Sequence, residues 1–336
     1  MLVEKFGLIC LLLVGLKTSE VSSWIKYSER CIVTQEQCPN VNVSFYLYTR
    51  ETQNSPVKLD TNKKETILNA KFAKDRPLVI LIHGFTGDRD YSPNSQIRPA
   101  YFRKDEFNII SVDFKNLVLD PCYVTAVLNL PTVANCTAQL INILVDDKLF
   151  SLDSIHVIGF SLGAQTAGLI ANFMGEDRKL KRITGLDPAK PFIIHTDVFT
   201  RGVLVPTGHL DFYANGGFNQ PGCYQQLKVS PGSCNHNRAP EYYAESIQSE
   251  TGFWGFRCAR WFLYAMGLCL EEESNSVAEM GYNANNESRG LYFLTTNKEP
   301  PYARGQNSTI NTIWPIDTLP SKKDDREIDG YLGNTF

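Results

Sequence analysis

Three short runs of apolar, largely β-branched residues constrain the fold of this chain more than any other feature: Leu78–His83 (LVILIH), Asn108–Asp113 (NIISVD) and Ile155–Phe160 (IHVIGF). A strand with one wet face alternates apolar and polar residues, whereas continuous apolar runs belong to a sheet covered on both faces, the usual setting of parallel strands. Between the last two runs, Val133, Cys136, Leu140, Ile143 and Leu144 recur at helical spacing, which predicts a helix over 132–146. A second helix is predicted over 162–174 and a third over 240–249, where Tyr243 and Ile247 lie four apart. Further strands are predicted over 182–186 and 210–213. The alternation of strand and helix predicts an α/β fold with a mostly parallel central sheet flanked by helices. No repeat, low-complexity tract or long linker interrupts residues 24–320, so one domain is expected over 24–336, with Ser321–Arg326 as a solvated end.

At the amino terminus, Lys5 precedes an apolar run from Phe6 to Leu16 that is too short to cross a bilayer, and small residues follow at Val21, Ser22 and Ser23. Residues 1–23 therefore read as a secretory signal peptide, which makes the expected location extracellular. Of the nine cysteines, Cys10 falls within this segment, and the rest form an even set suited to an oxidising compartment. These eight fall into four pairs close in sequence, so the simplest disulfide scheme joins Cys31 to Cys38, Cys122 to Cys136, Cys223 to Cys234 and Cys258 to Cys269. No C-x2-C pair is present, which argues against a zinc site. Sequons at Asn42, Asn135, Asn286 and Asn307 are candidate glycan sites. With a net charge of -3 and no run of Lys or Arg, the chain offers no field for gathering phosphates, which excludes nucleic acid as a partner and leaves apolar attraction as the main route to a membrane.

The chemistry centres on Gly159-Phe160-Ser161-Leu162-Gly163, a G-x-S-x-G sequence at the junction of a predicted strand and a predicted helix. In that context it reads as a nucleophile elbow, a sharp turn that exposes the serine hydroxyl while the glycines avoid backbone collisions. A serine hydroxyl needs an imidazole to take its proton and a carboxylate to orient that imidazole. Elbow hydrolases place these groups in the order Ser, acid, His. That order leaves His195, His209 and His236 as bases and Asp187, Asp197 and Asp211 as acids. His236 has the loop setting that catalysis favours, two residues after Cys234, and Asp187 stands at the end of a strand. The amide of Leu162 and that of Phe85, in the sequence His83-Gly84-Phe85 after the first strand, are the expected oxyanion donors.

Taken together, several motifs resemble the secreted, pancreatic-lipase-like lipases, in particular their short phospholipase A1-like members. They are Leu81-Ile-His-Gly-Phe85, Val112-Asp113-Phe114, Gly159-Phe-Ser-Leu-Gly-Ala-Gln165, Gly185-Leu-Asp-Pro-Ala189, Ile194-His-Thr196, Gly208-His-Leu-Asp-Phe-Tyr-Ala-Asn-Gly-Gly217 and Cys234-Asn-His-Asn-Arg-Ala239. The resemblance implies an α/β-hydrolase fold, with Ser161 as nucleophile, Asp187 as acid, His236 as base, and Phe85 and Leu162 as oxyanion donors. It leaves His195 and His209 in structural places and requires no cofactor. In the pancreatic lipases a long lid lies between the cysteines that align with Cys223 and Cys234; here Tyr224–Ser233 forms a short one, which resembles phospholipases A1. No C-terminal β-sandwich follows, so no colipase is implied, and the expected partner is a lipid substrate at a membrane or lipoprotein surface. The connection from Asp187 to His195 is shorter than in the family, so no calcium ligands are carried over. The expected activity is release of the sn-1 fatty acid from glycerophospholipids. Its alternatives are a triacylglycerol or galactolipid lipase and a non-catalytic, yolk-type lipid-binding protein.

Overall fold

The computed structural model describes residues 31–306 apart from 189–193, 199, 207, 224–230, 270–275 and 286. The segment 1–23 expected as a signal peptide, most of the expected lid 224–233, most of the Asp187–His195 connection, the sequons at Asn286 and Asn307 and the tail Ser321–Arg326 lie outside the described residues.

The strands are β1 (Ser44–Tyr48), β2 (Val57–Leu59), β3 (Leu78–Ile82), β4 (Asn108–Asp113), β5 (Ile155–Phe160), β6 (Arg182–Leu186), β7 (Ile194–His195), β8 (Leu210–Ala214), β9 (Phe253–Arg257), β10 (Val277–Met280) and β11 (Gly290–Leu294). They form one sheet in the order β10-β9-β11-β8-β7-β6-β5-β3-β4-β1-β2. From β4 to β11 across the middle every pairing is parallel, and the antiparallel pairs are confined to the two margins. The helices are α1 (Lys64–Leu68), α2 (Asn94–Lys104), α3 (Tyr123–Asp146), α4 (Leu162–Leu169), α5 (Pro231–Ser246) and α6 (Trp261–Ala265). This is the α/β-hydrolase fold expected from the sequence.

Two core clusters explain the continuous apolar runs. Ile80, Ile82, Ile110 and Val157 pack with Leu130, Val133, Leu140 and Leu144 of α3, while Val79, Leu81, Ile109 and Ile158 pack on the opposite face with Ile97 of α2 and Tyr242 and Tyr243 of α5. Successive residues of a strand point to opposite faces, so both sets must be apolar.

Two of the four expected disulfides are corrected. Cys31 joins Cys122 and Cys38 joins Cys136, each with Cα atoms 5.1 Å apart, whereas Cys223–Cys234 and Cys258–Cys269 pair as expected. The physical reason is α3, which begins at Tyr123 rather than at residue 132. Cys122 and Cys136 stand at its start and middle, roughly 20 Å apart at 1.5 Å of rise per residue, far beyond the reach of a disulfide. The segment from Cys31 instead runs along the helix: the Thr34 amide donates to Asn129 Oδ1 (2.9 Å) and Asn129 Nδ2 donates to the Ile32 carbonyl (2.8 Å). That contact brings each cysteine of the segment to one on the helix.

Candidate active site

Ser161 and Asp187 both follow parallel strands at their carboxyl ends, where the loops of an α/β sheet gather functional groups. Ser161 has φ 56° and ψ -120°, a conformation that costs an L-residue of order 1–3 kcal/mol and is held by its neighbours. Its amide donates to the Leu186 carbonyl (3.0 Å), which ties the turn to β6. The flanking glycines are required by contact. A Cβ on Gly159 would lie 2.1 Å from the Gly163 carbonyl oxygen, and one on Gly163 would lie 2.3 Å from that of Ile82. A Cβ on Gly84 would lie 2.7 Å from the Ser161 Cβ, so glycine there lets the His83–Phe85 loop close over the serine.

That loop is braced by His83, which is fully buried and stacked on Phe114 with ring centroids 4.0 Å apart. Its Nδ1 donates to the Gly84 carbonyl (2.9 Å) and its Nε2 accepts from the Phe114 amide (3.1 Å), which fixes one neutral tautomer. Burial lowers its pKa to about 4 against the smaller opposing effects of the Gly84 bond and Asp113. The Thr86 amide also donates to the Val118 carbonyl (2.9 Å). Leu162 opens α4, and the first amides of a helix have no acceptor within it, which leaves them for a developing oxyanion.

Asp187 is fully buried, with φ 40°. Its Oδ1 accepts the amides of Thr196 (2.8 Å) and Asp197 (3.0 Å), and its Oδ2 accepts from Nδ1 of His236. The Asp187 amide reaches the Ile194 carbonyl (2.8 Å), so the short connection returns the chain beside the acid. A Cβ on Gly202 would lie 2.7 Å from Asp187 Oδ1, a close approach that shapes the cradle. A carboxylate taking three N–H donors is fixed in orientation, and its bond to Nδ1 leaves Nε2 as the acceptor nitrogen of the neutral imidazole.

His236 is buried and its ring lies 4.5 Å from that of Phe160, the residue before the serine. The expected loop setting is corrected: His236 lies inside α5, which starts at Pro231 and carries Pro240 within it. The histidine thus stands on a packed element, positioned by the helix as well as by the Cys223–Cys234 bridge.

The remaining candidates are used elsewhere. His195 donates from Nδ1 to the Val203 carbonyl (2.9 Å), pairs through Nε2 with Asp211 (2.9 Å) and stacks on Tyr213. His209 is exposed before β8, and its carbonyl accepts from Gly290 (2.9 Å). Asp197 is close to the Asp187–His236 pair, and this the sequence did not reveal. It is 3% exposed, its Oδ1 accepts from Thr200 and its Oδ2 has no hydrogen-bond partner among the described residues. Burial pushes its pKa up to about 6, with the Asp187 charge adding to the rise. Asp187, Asp197 and His236 together form a group compact enough to hold a cation, but Asp187 and His236 already engage each other.

The Lipase family model matches residues 9–201 and again 192–302, so the match is divided at the short connection after Asp187. Pancreatic lipase-related protein 2 of Cavia porcellus is 30% identical over 327 residues, covering 88% of this chain and 74% of that protein. Pancreatic triacylglycerol lipase of Oryctolagus cuniculus is 32% identical over 330 residues (85% and 70%), and that of Mus musculus is 30% identical over 320 residues (81% and 67%). This chain belongs to the Lipase family.

Proposed function

We propose that the chain is a secreted serine hydrolase of lipid carboxylic esters, acting as a phospholipase A1 on glycerophospholipids. The reading rests on one observation above all: a buried carboxylate with three N–H donors orients His236 beside the elbow that carries Ser161. Ser161 Oγ attacks the ester carbonyl as Nε2 of His236 takes its proton, and Asp187 stabilises the imidazolium. The amides of Phe85 and Leu162 hold the oxyanion. His236 then protonates the departing alcohol, and water repeats the sequence on the acyl-enzyme.

The phospholipid preference rests on the ten-residue lid between Cys223 and Cys234, too short to roof a wide acyl groove. Triacylglycerol hydrolysis is the second reading, favoured by the names of the pancreatic relatives. The signal segment and four disulfides support secretion. A serine-directed alkyl phosphonate should label Ser161, located by mass spectrometry. Folded protein that takes no label would point to a non-catalytic lipid binder. Release of fatty acid from triacylglycerol but not from phosphatidylcholine would overturn the phospholipase assignment.

A further inference from the structure

Helix α3 carries no Asp, Glu, Lys or Arg until Asp146, over 23 residues of its sequence YVTAVLNLPTVANCTAQLINILVD. Its buried stripe, from Ala126 through Leu144, packs on the sheet and accounts for part of that apolarity. The amino-terminal turns are apolar on the outer face as well. Val124 is 73% exposed and Leu128 59%, with Tyr123, Val127 and the preceding Leu119 also exposed. Tyr123, Val124, Val127 and Leu128 follow i, i+1, i+4, i+5 spacing, so they form one stripe about two turns long. An exposed helix face in contact with water ordinarily carries charged or polar side chains.

The location of this stripe bears on what it meets. Tyr123 packs edge to face on Phe85 with ring centroids 5.1 Å apart, so the stripe continues directly from the loop that closes over Ser161. An apolar stripe that starts at the catalytic loop, with a tyrosine at its inner edge and the exposed Asp120 flanking Leu119, suits the acyl boundary of a lipid layer. We infer that Leu119, Val124, Val127 and Leu128 form the face by which the protein docks on a lipid surface, setting the mouth of the site against its substrate. This rests on the lipid-hydrolase reading above, and the test separates the two.

Full-length protein is sedimented with phosphatidylcholine vesicles, and turnover of a water-soluble short-chain ester is measured on the same samples. The double variant Val124→Asp/Leu128→Glu should bind vesicles at least about tenfold more weakly, because two apolar side chains are replaced by charges that resist burial. Its turnover of the soluble ester should match the wild type, since both side chains point away from the core. The variant Val124→Trp should bind more tightly and show a blue shift of indole emission on adding vesicles. Adsorption of the wild type to the zwitterionic vesicles should depend little on salt, as the four docking side chains are uncharged. Equal vesicle binding by the double variant would overturn the inference. So would a wild-type dimer that the double variant converts to monomer without loss of vesicle binding, because the face would then belong to a second copy. Vesicle binding that depends on Val124 and Leu128 in a protein without ester turnover would leave the docking face standing and remove the hydrolase reading.

Discussion

Replacing Cys38 and Cys136 together by alanine tests the disulfide topology and gives a magnitude that can be worked from the structure. The two bridges interleave, with separations of 91 residues for Cys31–Cys122 and 98 for Cys38–Cys136. Closing the first from an unconstrained chain stabilises by about 4.6 kcal/mol on the chain-entropy relation. Once it is formed, the second closes only the short ring from Cys31 to Cys38 and from Cys122 to Cys136. That ring of about 21 residues is worth about 3 kcal/mol. The double variant should therefore fold, lose about 3 kcal/mol in guanidinium unfolding, and show no free thiol when titrated in denaturant. Removing Cys31 and Cys38 instead breaks both bridges, costs about 8 kcal/mol by the same relation, and leaves two free thiols. Two free thiols in the Cys38→Ala/Cys136→Ala variant would refute the interleaved topology, as would a non-reduced digest that releases Cys31 linked to Cys38.

Three further expectations concern the site. Asp187→Asn should lower kcat on a soluble ester by a factor on the order of 10³–10⁴ with the melting curve nearly unchanged, and a loss under tenfold would show that another group orients His236. Gly163→Ala should destabilise by about 3 kcal/mol or prevent folding, because the new Cβ meets the carbonyl oxygens of Ile82 at 2.3 Å and His83 at 2.4 Å, which are backbone and cannot swing aside; an unchanged melting temperature would refute the packing argument. Asp197 binds its proton more tightly in the folded state, with a pKa near 6 against 3.8 when unfolded. Its stabilising contribution is therefore present below about pH 4 and lost as pH rises through 6, so Asp197→Asn should be more stable than the wild type at pH 8 by about 1–3 kcal/mol, a gain that fades toward pH 4 in denaturant midpoints. An offset that is the same at both pH values would exclude titration of Asp197 as its cause.

The central strands were legible because burial on both faces leaves no choice of residue: Leu78–Ile82, Asn108–Asp113 and Ile155–Phe160 lie where their apolar runs place them. The marginal strands were not. Antiparallel β1, β2, β9 and β10 are partly exposed and short, and β11 opens with glycine, so none shows a long apolar run. Helix α3 was recognised only over its carboxyl half. Its first turns are apolar on the outer face and Pro131 interrupts the pattern, which conceals the helical period.

For the site, the sequence by itself determined the residue types and their local geometry. G-x-S-x-G dictates a strained turn wherever it joins a strand to a helix, and the glycine of His83-Gly84-Phe85 permits an approach to that turn. Tertiary structure decided which groups meet. Asp187 and His236 are 49 residues apart, His195 pairs with Asp211, and Asp197 comes to lie beside the Asp187–His236 pair with a carboxylate oxygen unpaired among the described residues. The cysteines show the same division. Their even number was set by the sequence, but their partners were set by the packing of residues 31–40 along α3, because a helix holds Cys122 and Cys136 too far apart to bond and a tertiary contact brings Cys31 and Cys38 within 5.1 Å of them.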